Sequence, residues 1–327
     1  MENIGKKYTA RAHTNIALVK YWGKENEELI IPANSSISLT LDEFYTDTSV
    51  IFDSTLQKDL ITINDEITDD KKIINFLDLI RKKAGINLYA KVESYNHVPN
   101  SAGLASSASA YAALATAGSK AAGLELSDKE LSMLARRGSG SATRSIFGGF
   151  AAWNKGTDDN TSYGYSIEDP VKMDINMIAI VLNGNPKKIS SRVGMKISYE
   201  TSPFYDSWIK QTTDDFSTIE NAIKNGDFST LGKTAELNAM RMHSLTLSAD
   251  PSYLYLNKDS LLVIEMVKTL REQGIECYYT MDAGPNVKII CQKDNIKPII
   301  NKLSNQFSQD QIKVSGPGEK VKLIWKD

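Results

Sequence analysis

The stretch Pro99-Asn-Ser-Ala-Gly-Leu-Ala-Ser-Ser-Ala-Ser109 leads directly into an alanine-rich segment, 110–122. Alanine is the strongest helix former, whereas Gly103 and the serines around it favour a loop or a helix cap. The pattern therefore predicts a loop that feeds a helix over 104–121. Unpaired backbone N–H groups and the positive end of the helix dipole meet at such a helix start, where small side chains admit an anion. We expect a phosphate-binding site here, with an ordinary serine-capped core helix as the alternative.

The composition limits the class of protein. At 327 residues, with 41% hydrophobic and 24% charged residues, the chain is long enough for two globular domains. No apolar run approaches the roughly 20 residues of a membrane span, and the first residues lack the apolar core of a signal peptide. A net charge of −2 argues against nucleic-acid binding. We therefore expect a cytoplasmic protein that binds neither a membrane nor nucleic acid.

Cysteine and histidine are too sparse for a metal-binding motif. Cys277 and Cys291 are the only cysteines, and His13, His97 and His243 lie in separate segments. Zinc sites need closely spaced pairs of such ligands. We expect these residues to be structural and expect no zinc site.

Hydrophobic patterns divide the chain into two parts. In the first part, strand patterns at 49–52, 60–63 and 88–94 accompany an amphipathic helix over 69–84, which Gly85 ends. An apolar strand over 177–182 is followed by the strong turn sequence Asn183-Gly184-Asn185-Pro186. We place a domain boundary at this turn, which gives domains 1–183 and 184–327.

The second part alternates helices with strands. This alternation predicts a small α+β sandwich. The predicted helices are 190–201, 205–224, 228–242, 261–273 and 296–307, and the predicted strands are 275–281, 287–291 and 321–325.

The N-terminal segment Asn15-Ile-Ala-Leu-Val-Lys-Tyr-Trp-Gly-Lys24 begins as an apolar strand and ends in aromatic and cationic residues. Lys20 and Lys24 are four residues apart. If the strand breaks at Tyr21, a turn would aim both ammonium groups into one cleft, where lysine binds phosphate as a point charge. Solvated lysines that flank a buried strand are the alternative.

The segment Arg136-Arg-Gly-Ser-Gly-Ser-Ala-Thr-Arg144 predicts the end of one helix, a turn and the start of another helix. Ser139 and Ser141 are suited to cap the new helix, and Ser141 and Arg144 would face one ligand. Arginine binds a carboxylate through two parallel hydrogen bonds, which lysine cannot do. A capped helix with an exposed arginine is the alternative.

A basic segment, Lys187-Lys-Ile-Ser-Ser-Arg192, follows the proposed interdomain turn. Its three cations and two hydroxyls stand at a predicted helix start. The pattern indicates a second anion site, or a solvated basic cap.

Asp282 stands at the end of an apolar strand, directly before a turn that contains Gly284 and Pro285. Aspartate is a frequent turn residue, because its side chain bonds nearby backbone N–H groups. Asp282 is equally suited to act as a base held at a strand end. The residues alone favour the structural interpretation.

Five ordered segments, 15–24, 32–41, 99–109, 138–144 and 282–287, together resemble the mevalonate diphosphate decarboxylase family of the GHMP kinase superfamily. The resemblance spans nearly the whole chain. It implies an α+β, GHMP-kinase-like fold with two domains. The N-terminal β-α-β phosphate-loop domain and the C-terminal ferredoxin-like α/β sandwich would enclose an active-site cleft.

The resemblance also implies an activity and its components. Members of the family convert mevalonate 5-diphosphate and ATP to isopentenyl diphosphate, ADP, phosphate and CO₂ with Mg²⁺, and homodimers are common among them. A GHMP kinase that phosphorylates mevalonate or phosphomevalonate without decarboxylation is the nearest alternative. A sensor that binds the same ligands without turnover is a third.

Site residues follow from the same resemblance. The catalytic residues would be Asp282 as general base, with Lys20, Arg144 and Ser106. The substrate would contact Tyr21, Lys24, Ser139, Gly140, Ser141, Arg144, Lys187, Ser191 and Arg192. ATP would contact Ser94, Asn96, Ser101, Gly103, Leu104, Ala105, Ser106 and Ser107. The protein ligands of Mg²⁺ stay open.

Overall fold

The computed structural model describes residues 3–98, 106–182 and 189–324. In chain order, its strands are β1 (Tyr8–Val19), β2 (Lys24–Asn26), β3 (Ile31–Pro32), β4 (Ser36–Asp53), β5 (Leu60–Ile63), β6 (Glu66–Thr68), β7 (Tyr89–His97), β8 (Phe150–Asn154), β9 (Tyr163–Glu168), β10 (Asn176–Ile180), β11 (Cys277–Met281), β12 (Val287–Cys291), β13 (Ile312–Ser315) and β14 (Lys322–Ile324). Its α-helices are α1 (Lys71–Ala84), α2 (Ser106–Ala121), α3 (Asp128–Gly138), α4 (Ser191–Thr201), α5 (Tyr205–Asn225), α6 (Phe228–Ser248), α7 (Lys258–Glu272) and α8 (Ile296–Leu303).

The first sheet consists of strands from the N-terminal part of the chain and of β14 from its C-terminal part. Its strands run in the order β14-β1-β4-β7-β5-β6, and β8 and β9 extend it beside the first half of β4. The pairs are antiparallel except for β5 with β7. Alanines of α2 pack with residues of α1, α3 and the sheet in one apolar core. Because alanine is small, α2 lies close to β1 and β4, which sets its N-terminus at one edge of the site.

The second sheet carries the C-terminal part, in the antiparallel order β11-β12-β10-β13. On one face, residues of α7 and α8 form a core with Cys277, Tyr279 and Met281. On the other face α6 packs closely, since a Cβ on Gly232 would lie 2.1 Å from the Tyr278 ring. The sheet is therefore covered by helices on both faces, as the predicted sandwich requires.

Local signals set both ends of α1, which ends as predicted but begins at Lys71 and not at the predicted residue 69. Asp70 accepts a hydrogen bond from the backbone N–H of Lys72 and caps α1, and Gly85 ends this helix at a φ of 65°. That left-handed φ is one that glycine adopts without steric cost. Strand β5 has the predicted bounds, and α2 ends at Ala121 as predicted.

Other predictions of local structure were wrong. The helix expected from Ser139 onward is a short 3₁₀ turn, Gly140–Thr143, and the Ser139 side chain makes no capping hydrogen bond to it. Helix α8 ends at Leu303, because Phe307 turns back into the core instead of continuing the helix.

Strand β10 pairs with β12 and β13 and belongs to the second sheet. The predicted domain boundary at 183/184 lies outside the described residues and stays a prediction. No helix in the described part of the chain is long and apolar enough to cross a membrane.

Candidate active site

Asp282 lies at the centre of a charged cluster between the two sheets. It follows β11, and one carboxylate oxygen accepts a hydrogen bond of 2.8 Å from Lys20 Nζ at the end of β1. The second oxygen lies 3.3 Å from Nζ of Lys288 on β12. Both lysine side chains are buried, whereas the Asp282 side chain is 24% exposed. The carboxylate is thus held from behind by two ammonium groups and is open toward the cleft.

The two lysines keep Asp282 ionised. Burial raises the pKa of this carboxyl, but Lys20 and Lys288 lower it by more, so the pKa lies well below its ordinary value. Burial lowers the pKa of Lys20 to about 8, although Asp282 opposes that shift. At neutral pH the site therefore contains a carboxylate and an ammonium group in direct contact.

A backbone carbonyl and two asparagine side chains fix Lys20 from several sides. Its Nζ donates to the carbonyl oxygen of Ala17 at 2.7 Å, and its backbone N–H donates to Asn238 of α6 at 2.8 Å. The amide of Asn34 donates to the Lys20 carbonyl oxygen at 2.7 Å. The chain therefore leaves β1 in a fixed direction, as the predicted break near Tyr21 requires.

The Lys20 pKa gives a testable pH dependence. We expect kcat/KM to fall as pH rises through about 8, because Lys20 of the free protein loses its proton there. In Lys20→Arg, which keeps its charge, this basic limb should move to higher pH. A pH profile of kcat/KM for both proteins makes the comparison, and a wild-type profile that stays flat to about pH 9.5 would contradict this assignment.

Arg144 is a buried arginine that has no acidic partner within 4.0 Å among residues 3–98, 106–182 and 189–324. Its Nη1 donates to the Ser36 hydroxyl at 2.6 Å, and its Nε donates to Asn15 at 3.3 Å. Burial lowers its pKa to about 10, and the negative charge of Asp282 opposes that shift. The guanidinium is thus charged at neutral pH and has donors left for a carboxylate ligand.

Gly140 and Tyr21 form the wall beside Arg144. The Tyr21 ring lies edge-on to Trp153, with ring centroids 4.8 Å apart. A Cβ on Gly140 would lie 2.8 Å from the Tyr21 ring and 2.9 Å from Trp153. Only glycine lets the turn approach these rings, so the sequence requirement at position 140 is steric.

We expect Gly140→Ala to displace Tyr21, to raise KM for the substrate about tenfold and to reduce stability by about 1–3 kcal/mol. Gly316→Ala is the matched control, because the nearest atom to its Cβ would be 3.4 Å away. Thermal unfolding and steady-state kinetics of the two variants provide the measurement. If the two variants have the same unfolding temperature and the same KM, position 140 has no steric role.

Hydroxyls link the predicted turn to the predicted phosphate site. The Ser139 hydroxyl lies 3.2 Å from the hydroxyl of Ser141 and 3.2 Å from that of Ser107. Ser106 and Ser107 are exposed and begin α2. The start of α2 and the 140–143 turn therefore face the same space.

Two further predicted cations, Lys24 and Arg192, belong to the surroundings of Tyr21. Lys24 is buried and donates to Glu27 at 2.6 Å. Ser191 and Arg192 lie in the first turn of α4, where Arg192 is exposed and its charge lowers the pKa of Tyr21. Burial and Glu27 act more strongly and hold that pKa above its ordinary value.

Ser94 and Asn96 line a cleft between the first sheet and helices α1 and α2. Ser94 shares a 2.9 Å hydrogen bond with Thr48, and the Asn96 amide oxygen accepts one of 3.0 Å from Thr46. The cleft holds about 390 Å³ of atom-free space, part of it open to solvent. Its other lining residues are mainly apolar, namely Ile61, Ile63, Ile73, Val92, Ala110, Tyr111 and Leu114. An apolar slot with a few polar groups suits a planar heterocycle.

Five predicted contacts lie outside the described residues: Ser101, Gly103, Leu104 and Ala105 for ATP, and Lys187 for the substrate. The described residues contain no group of three or more His, Cys, Asp or Glu that would hold a metal ion. Mg²⁺ commonly keeps waters and binds through phosphates with few protein ligands. The serine hydroxyls at the start of α2 fit an ion that arrives with a nucleotide.

Sequence reasoning missed four residues that position the site: Lys288, Asn238, Asn15 and Ser36. Only Lys288 had a local signal, since a lysine inside the apolar strand β12 is unusual. His243 was predicted to be structural. It is buried, its pKa is lowered to about 3 by burial and then by Lys20, and its ring nitrogens have no hydrogen-bond partner in the described part of the chain.

Two α+β units meet at this site, with a helix N-terminus and the cleft of Ser94 and Asn96 on one side and the Lys20–Asp282 pair on the other. This arrangement is the fold of the GHMP kinase superfamily. Residues 12–164 match the family model of the diphosphomevalonate decarboxylase-like N-terminal domain. Residues 177–323 match that of the mevalonate 5-diphosphate decarboxylase C-terminal domain. The chain belongs to the diphosphomevalonate decarboxylase family.

Individual relatives are similar to this chain over most of their length. Diphosphomevalonate decarboxylase of Ganoderma lucidum is 35% identical and aligns with 92% of this chain and 82% of its own. The crystal structure of mevalonate diphosphate decarboxylase from Staphylococcus aureus has a TM-score of 0.94 at 49% identity, over 98% of each chain. A structure described as MDDEF in complex with MVAPP, AMPPCP and magnesium has the same TM-score and identity, over 98% of this chain and 99% of that one.

Proposed function

We propose that the protein catalyses ATP-dependent decarboxylation of mevalonate 5-diphosphate to isopentenyl diphosphate, with ADP, phosphate and CO₂ as the other products. One observation carries this proposal: the ionised carboxylate of Asp282 lies close enough to the buried Arg144 for their charges to interact, yet among the described residues no acidic group is within 4.0 Å of the guanidinium. Asp282 would accept the proton of the substrate hydroxyl, and Arg144 would bind the substrate carboxylate.

Asp282 is the proposed general base for the C3 hydroxyl of the substrate. A tertiary alcohol is a weak nucleophile and must lose its proton as it attacks. With its low pKa, Asp282 accepts that proton only once the new oxygen–phosphorus bond has made the hydroxyl acidic. Lys20 and Lys288 keep the carboxylate ionised and aimed at the cleft until then. Phosphoryl transfer itself depends on positioning and charge neutralisation, which suits this arrangement.

The nucleotide is proposed to place its base in the cleft of Ser94 and Asn96 and its phosphates at the start of α2. The helix dipole, the backbone N–H groups of the first turn and the hydroxyls of Ser106 and Ser107 favour anions there. This site would be completed by Ser101, Gly103, Leu104 and Ala105. Mg²⁺, when bound with ATP, neutralises phosphate charge, and Ser106 is its proposed protein contact.

Arg144 is proposed to hold the C1 carboxylate, together with Ser139, Gly140 and Ser141. When phosphate leaves C3 with the electron pair of the carbon–oxygen bond, positive charge develops at C3. The bond between C1 and C2 then breaks, its electrons form the C2–C3 double bond, and CO₂ departs. A bidentate guanidinium sets the orientation in which this bond breaks.

The diphosphate is proposed to bind to Tyr21, Lys24, Ser191 and Arg192, with Lys187 at the junction. Lys24 and Arg192 supply positive charge on one rim of the cleft, and Ser191 stands in the first turn of α4. Helix starts and cations both favour phosphate groups.

A substrate series tests this function. We expect ADP release with mevalonate 5-diphosphate and at least about 100-fold less with mevalonate or its 5-phosphate, because these substrates offer Lys24 and Arg192 no phosphate or only one. Preference for mevalonate or the monophosphate would instead indicate a kinase.

We also propose a cytoplasmic homodimer with domains 1–183 and 184–327. Two free, buried cysteines fit a reducing compartment. Exposed apolar side chains such as Phe204 and Leu254 support an interface on the C-terminal part. Light scattering of the purified protein measures the subunit number.

A further inference from the structure

The proposed diphosphate site contains a carboxylate that its expected ligand does not need. Among the described residues, Glu27 is the only acidic residue within 4.0 Å of the proposed diphosphate-binding cations Lys24 and Arg192. Its carboxylate lies 2.6 Å from Lys24 Nζ. A negative charge at this position opposes the binding of a polyanion, so its presence calls for an explanation.

The two partners are buried to very different degrees. The Lys24 side chain is 5% exposed, whereas that of Glu27 is 57% exposed. Lys24 cannot turn into solvent without losing its packing, but Glu27 can leave the ion pair at little cost. A ligand that enters from solvent therefore meets Glu27 first and can replace it on Lys24.

The hairpin between β2 and β3 fixes the backbone of the turn that carries Glu27, while the Glu27 side chain is free to move. The backbone N–H of Leu29 donates to the Asn26 side chain at 2.8 Å, and Arg136 donates to the carbonyl oxygen of Leu29 at 3.1 Å. Ile30 is buried with a φ of 54°, a strained value for a β-branched residue. Such strain persists only where the surroundings fix the backbone. The surrounding structure therefore fixes the conformation of the turn that carries Glu27.

We propose that Glu27 is an internal competitor for the diphosphate: it occupies Lys24 in the free protein and is displaced when a diphosphate binds. The inference rests on the proposed function, which places the diphosphate at Lys24. Substrate and product both carry this group, so Glu27 lowers the affinity for both by the same factor. Glu27 thereby limits retention of the product.

The test compares Glu27→Gln with Glu28→Gln, the neighbouring exposed glutamate. We expect Glu27→Gln to bind inorganic pyrophosphate about threefold to tenfold more tightly than the wild type in calorimetry. KM for mevalonate 5-diphosphate should fall by a similar factor, and KM for ATP should not change. Glu28→Gln should match the wild type. Glu27→Ala gives the same test if Glu27→Gln does not fold.

If Glu27→Gln binds pyrophosphate no more tightly than the wild type, the inference is overturned. Equal tightening in Glu27→Gln and Glu28→Gln would also overturn it, because net charge alone would then explain the effect. Lys24→Ala separates the two proposals. If it weakens pyrophosphate binding while Glu27→Gln has no effect, only the role of Glu27 fails. If it leaves pyrophosphate binding unchanged, the assignment of the diphosphate to Lys24 fails.

Discussion

Asp282→Asn should lower kcat by about three to four orders of magnitude while calorimetry still detects ATP and substrate binding. Asparagine has nearly the same shape and keeps an oxygen toward Lys20, but it cannot take the proton of the C3 hydroxyl. Binding persists because the proposed contacts of the substrate lie on other side chains, such as Arg144 and Lys24. The loss should therefore appear in kcat and not in affinity.

Asp294→Asn is the control for this prediction, since Asp294 is an exposed carboxylate on the short helix Lys293–Asn295. It should keep the wild-type rate. Asp282→Asn with a kcat within about tenfold of wild type would show that Asp282 is not the base. A variant that binds neither ligand would indicate that the Lys20–Asp282–Lys288 cluster is needed for folding, and Asp282→Ser would then repeat the test with a smaller side chain.

Arg144→Lys should lower kcat/KM for the substrate about 100-fold to 1,000-fold, although it conserves the charge. Lysine cannot donate two parallel hydrogen bonds to one carboxylate, and its shorter reach loses the contacts with Ser36 and Asn15. The nucleotide cleft lies elsewhere, so KM for ATP should stay within about twofold. The effect is thus specific to one substrate.

Arg137→Lys is the matched control, because Arg137 is an arginine of α3 and its nearest acidic partner, Asp159, is 3.8 Å away. Steady-state kinetics with each substrate varied in turn separates the two affinities. If Arg144→Lys retains kcat/KM within about threefold of wild type, the arginine does not hold the carboxylate.

Local sequence patterns predicted the elements whose ends depend on neighbouring residues. Asp70 and Gly85 define both ends of α1, and the alanines of α2 let it lie against the first sheet. The 140–143 turn was misjudged, because close contact of Gly140 with Tyr21 and Trp153 determines it, and that contact is not local. For residues such as Asp282, the local pattern left the role open, and the resemblance to a family supplied it.

The charged cluster shows why the rest was not predictable. Lys20 and Asp282 are 262 positions apart, so no local pattern reveals that they pair. Asn238 reaches Lys20 from α6 for the same reason, and polar residues on helices are common. Lys288 is the exception, since a lysine within an apolar strand signals a buried charge that needs a partner.

Decarboxylation is the central claim, and the ratio of CO₂ to ADP tests it most directly. The measurement uses mevalonate 5-diphosphate labelled at C1, with ATP and Mg²⁺, and follows both products in one reaction. We expect one CO₂ for each ADP throughout the time course. ADP formed without CO₂ would contradict the account and identify a kinase, and the absence of both products would exclude this substrate.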